Sequence, residues 1–120
     1  MIYDSMCEKI MNIDETIRFV GVYTDDGVMA CSRMRDNTPS MITQDQIQMS
    51  IYYAKVRHET REHLSRNIGK EEFSITKYEK VIRFTIPFEN NLLLLSADTD
   101  IDYAKIVTEI LKIIKETKTS

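Results

Sequence analysis

The segment VRHETREHLSR, Val56 to Arg66, holds two histidines, each with a glutamate beside it, and falls one residue short of the zinc-protease signature H-E-x-x-H. That signature works because histidines four apart share one side of a helix, with the glutamate between them placed as general base. His58 and His63 are five apart, which turns the second ring about 140° from the first, so they cannot share an ion. What remains is the exposed-helix pattern of acid and base four apart, His58 with Glu62 and Glu59 with His63. His58 has a second reading, as a residue between two copies of the chain, because it falls on an apolar stripe described below.

Two further stretches have the residue types for chemistry but not the geometry. DTDIDYAKIVTE, Asp98 to Glu109, places acids at positions 1, 3, 5 and 12 of a calcium loop. Position 6 requires glycine and is Tyr103, and position 8 is Lys105 where an apolar residue belongs. Acids there serve the start of a helix instead, where free amides and the dipole favour them. Three glycines in the whole chain cannot assemble a phosphate loop, and no nucleophile elbow is present. The expectation is a chain that is not an enzyme, with no catalytic, metal or cofactor site.

The elements that would position these residues are read from periodicity and turn signals. Residues 2–13 carry Tyr3, Met6, Cys7, Ile10 and Met11 three and four apart, a helical stripe with Asp4 or Ser5 as N-cap. Strands follow at Arg18–Tyr23 and Val28–Arg33 around the hairpin tip Asp25-Asp26-Gly27. Gly21, inside the first strand, marks a bulge or a close backbone approach. RDNTPS is a loop whose Pro39 forbids a continuing central strand. A long helix from Thr43 to about Asn67 opens on a Thr43–Gln46 capping box and closes at Gly69. Strands at Phe73–Tyr78, Val81–Phe88 and Leu92–Ala97 come next; LLLLSA has no polar alternation and belongs in the middle of the sheet. Asp100 caps a last helix, and KETKTS frays.

The long helix has two apolar stripes. Ile47, Ile51, Ala54 and His58 fall together, and Met49, Tyr52, Tyr53, Val56 and Leu64 gather opposite. A surface helix of a monomer needs one such face, so the second asks for a second partner.

Over nearly the whole chain, the order α-β-β-α-β-β-β-α, the hairpin FVGVYTDDGVMACSR, the long helix ending in NIG and the run VIRFTIPFENNLLLLSADTD resemble the Roadblock (dynein light chain) family, in an archaeal-like form. The resemblance implies one α/β (α+β) domain over residues 1–120, Roadblock/profilin-like, a five-stranded antiparallel sheet in meander order with helices on both faces. It also implies a homodimer that pairs third strands and packs long helices together, and a non-catalytic scaffold or regulator of another protein, such as a small GTPase. On that pattern the expected interface is Ile47, Ile51, Ala54 and His58 of the helix with Phe73, Ile75 and Tyr78 of the edge strand. The larger stripe is then assigned to the sheet. The alternative is a small-molecule sensor domain of GAF or PAS type, with a pocket lined by Tyr52, Tyr53 and Tyr103.

Composition agrees with one ordinary globular domain: 42% hydrophobic, 29% charged, net charge −3. Lysine and arginine form only a diffuse run at Lys55, Arg57, Arg61 and Arg66, which argues against nucleic acid as partner. No leader pattern and no stretch of roughly 18 apolar residues is present, so the expectation is a cytoplasmic chain with no membrane span. Cys7 and Cys31, both in apolar company, read as buried thiols.

Overall fold

The computed structural model describes residues 2–36 and 43–119. Elements run α1 (Ile2–Met11), β1 (Ile17–Tyr23), β2 (Met29–Met34), α2 (Gln44–Glu62), α3 (Ser65–Ile68), β3 (Ser74–Lys77), β4 (Ile82–Phe88), β5 (Asn91–Ala97) and α4 (Tyr103–Thr119). All strand pairs are antiparallel, in the order β2-β1-β5-β4-β3. This departs from a simple meander. The β1–β2 hairpin docks through β1 onto β5, and β2 and β3 become the edges. The reason lies in the side chains: β1 and β5 are the most continuously apolar strands, and a strand covered on both faces belongs at the centre. LLLLSA is the middle strand, as its composition predicts.

One face of the sheet carries the main core. Val20 and Val22 of β1, Leu93 and Leu95 of β5, and Phe84 and Ile86 of β4 meet Met6 and Ile10 of α1 and Ile106 and Ile110 of α4, all nearly inaccessible. The α1 end is secured by Arg35, whose guanidinium donates to the carbonyls of Met11, Asp14 and Ile17 at 2.9–3.0 Å. The other face carries α2.

Local signals fix the turns. At the β1–β2 tip, Gly27 adopts φ 81°, its N–H reaches the Thr24 carbonyl at 2.9 Å, and Thr24 N–H reaches Val28. The Thr43–Gln46 capping box is present in both directions. β3 pairs with β4 only as far as Thr85, so Pro87 lies where no third-strand carbonyl needs a donor. Pro39 lies outside the described residues.

Several boundaries differ from expectation. Asp4 and Ser5 sit inside the first turns of α1 rather than capping it. The long helix stops at Glu62: Ser65 Oγ donates to the Glu62 carbonyl at 2.7 Å, and His63 and Leu64 tighten to carbonyls three residues back. Asp102, not Asp100, caps α4, accepting from Lys105 N–H at 3.2 Å, and the helix persists to Thr119 instead of fraying from Lys115. Gly21 pairs in regular register. β1 is irregular at Ile17/Phe19 and Val22/Tyr23, and the missing side chain of Gly21 makes room for the Phe19 ring. The cysteines are not separate thiols: Cys7 of α1 and Cys31 of β2 form a disulfide inside the core, because α1 lies directly across β2.

Candidate protein interface

The structure interchanges the two stripes of α2. Ile51 and Ala54 are buried against Tyr23, Leu92 and Leu94, with Ile47 half-buried beside them. The larger residues point away from the sheet: Met49 is 58% exposed and Tyr52 62%, with Tyr53, Val56 and Leu64 also open. Ile47, Ile51 and Ala54 therefore pack inside the chain, on the sheet side of the helix, where the larger stripe was expected. The cause is size. The ring of Tyr23 and the two leucines stand up from the sheet, and small aliphatic groups let the helix approach them. The outer stripe is left as a continuous apolar band, with Tyr52 and Tyr53 edge to face at 5.2 Å between ring centroids.

His58, on the sheet side of α2, meets a carboxylate of its own chain. Its Nδ1 lies 3.2 Å from Glu71 Oε1, and its Nε2 lies 3.6 Å from Glu62, the pair expected four residues on. Glu71 also accepts from Arg61 and, at 2.8 Å, from the Ser74 hydroxyl, and Arg61 donates to Ser74 at 2.6 Å. The end of α2 is thus pinned to the first residue of edge strand β3. Burial alone would raise the Glu71 carboxyl; hydrogen bonds from Ser74, Arg61 and His58 outweigh it and hold the group below the usual carboxylate range. The charged segment RHETRE is a structural fastening, and periodicity could not reveal it because Glu71 approaches across a turn.

β3 presents the free edge. It has one neighbour, β4, and its outer backbone groups face away from the sheet. Phe73 and Tyr78 flank it, 42% and 52% exposed, while Ile75 is half-buried on the main core. Tyr103, offered as a pocket wall, is exposed at the start of α4, and Tyr52 and Tyr53 face outward, so the three do not converge. Among the described residues no group of three His, Cys, Asp or Glu side chains is placed to hold a metal ion. Among them, too, no helix is long and apolar enough to cross a membrane.

Comparison with solved structures identifies the fold. A Roadblock/LC7 domain from Streptomyces avermitilis superposes with TM-score 0.73 at 11% identity, covering 97% of this chain and 94% of the other. Myxococcus xanthus MglB gives 0.72 at 11% identity, covering 97% and 90%. A structure titled MglB with tetrameric arrangement gives 0.64 at 12% identity, covering 94% and 88%. The fold is that of the Roadblock/LC7 domain, as the resemblance implied. No curated protein matches the chain. Residues 1–119 match the family described as "Family of unknown function (DUF6659)", and the chain belongs to that family.

Proposed function

We propose that this chain is a non-catalytic, homodimeric platform that binds and regulates another protein. The observation that carries the reading is the outer stripe of α2, where Met49, Tyr52, Tyr53 and Val56 stay open although the helix has already covered its own side of the sheet. A contiguous band of that kind on a helix is an interaction surface. A two-fold axis beside it would pack the stripe against its own copy, and β3 of each copy, bounded by Phe73 and Tyr78, lies free to extend the sheet. Ile75 contributes from the inner side of that strand. One of the similar solved structures is titled as a tetrameric arrangement, which supports assembly as a property of the fold.

A dimer of this form presents a broad symmetric surface. The Roadblock resemblance implies a protein partner such as a small GTPase. The test is capture: the tagged chain and a Tyr53→Asp variant are used as paired baits. The account expects a protein retained by the wild type and lost by the variant; capture that is identical for both contradicts the platform.

A further inference from the structure

Between the first half of α2 and the sheet lies a groove of about 760 Å³. Its floor and wall are apolar: Phe19 and Tyr23 of β1, Leu94 of β5, Met34 of β2, and Ile47 and Ile51 of α2. Gly21 shapes the floor, since the Phe19 ring folds over it so closely that a Cβ there would stand 2.7 Å from the ring's Cζ. The size is that of a small-molecule site.

The charges along its rim are unequal. Arg18 is paired with Asp98 at 3.3 Å. Glu79 and Lys80, adjacent in the turn before β4, add one charge of each sign. Arg83 is half-buried on β4 between Thr76 and Ser96 of the neighbouring strands, and among the described residues no carboxylate pairs with it. One positive charge is thus uncompensated in an apolar groove, within a chain whose net charge is −3. A single guanidinium fork matches a carboxylate, a monoanion, whereas a phosphate ester would leave further charge unbalanced. Burial holds the phenol of Tyr23 above its usual range against the opposing charge of Arg83, so that wall of the groove adds no negative charge.

The floor lies within the sheet, where the backbones of β1 and β5 are paired to each other. A peptide laid there would find no main-chain partners, whereas an alkyl chain needs none. We infer that the groove is a binding site for an acyl-chain carboxylate, its tail over Phe19, Leu94 and Ile47 and its head on Arg83. This goes beyond the platform role and does not depend on it.

The test is a titration of the full chain with dodecanoate and, separately, with dodecanol. Dodecanoate should bind saturably, one per chain. Arg83→Gln should weaken it by about tenfold or more while leaving dodecanol unchanged. Ile47→Trp should fill the groove and remove both. Absence of saturable dodecanoate binding to the wild-type chain overturns the site, as does binding that neither variant alters. Hydrogen exchange supplies a second readout: if β1 and β5 gain protection only as protein concentration rises, and not with dodecanoate, a second copy occupies the groove and the assignment falls.

Discussion

Glu71 Oε1 lies 3.2 Å from His58 Nδ1, thirteen residues apart in the chain, and joins the end of α2 to the start of β3. The other carboxylate oxygen holds Arg61 and Ser74, so one side chain gathers three partners in a half-buried place. Removing it leaves those donors without their acceptor. Glu71→Ala should cost about 1–3 kcal/mol, measured by denaturant unfolding. The pH dependence follows from the depressed carboxyl. Its stabilisation is fully present above the ordinary glutamate value of 4.5 and is lost as pH falls through the lower folded value. Glu71→Gln should therefore flatten the acid limb of the stability curve below that value; an unchanged limb contradicts the pin.

Ile51 and Ala54 belong to the chain's own fold, and Met49 and Tyr52 do not. Ile51→Asp places an unpaired charge against Tyr23, Leu92 and Leu94 and should unfold the protein or destabilise it by about 3 kcal/mol or more. Tyr52→Asp should leave the circular dichroism of the fold intact and cost less stability than Ile51→Asp, losing only what a second copy contributes. Equal sensitivity at the two positions would mean that the sheet-facing side has been misassigned.

Glu89 sits at φ 52° in the two-residue turn between β4 and β5, the single non-glycine residue with positive φ among those described. A glutamate in that region is strained, and glycine is not. Glu89→Gly should be neutral to stabilising, by up to about 1 kcal/mol, in equilibrium unfolding. A clear loss of stability would show that the Glu89 side chain has a role of its own.

The Cys7–Cys31 bridge ties α1 to edge strand β2 across a sequence separation of 24. A loop of that length restricts the unfolded chain by roughly 3 kcal/mol. Thermal melts with and without dithiothreitol should differ, the reduced chain melting lower, and the Cys7→Ala variant should show no such difference. Identical melts would mean that the bridge does not form in solution.

Much of this fold was legible in the residues. The Thr43–Gln46 box, the Asp-Asp-Gly tip and the unbroken LLLLSA run each act locally, so their outcome follows from neighbours in sequence. The two stripes of α2 were legible as well, but not their allocation. Periodicity counts apolar faces without revealing what stands opposite, and the ring of Tyr23 decides which face fits. The His58–Glu71 contact and the Cys7–Cys31 bridge join elements through turns whose path no local pattern specifies. The place of β1 beside β5 depends in the same way on the whole sheet. The lining of the groove between α2 and the sheet is not that of the expected Tyr52, Tyr53 and Tyr103 pocket, because its rim and floor come from four strands and a helix far apart in the chain.

The central claim is that the outer stripe of α2 pairs with a second copy of itself. Sedimentation equilibrium of the wild-type chain beside Tyr53→Asp tests it most directly. The account predicts a wild-type dimer and a folded monomeric variant. A wild-type chain that sediments as a monomer across the micromolar range, or a variant that dimerises equally well, would contradict it.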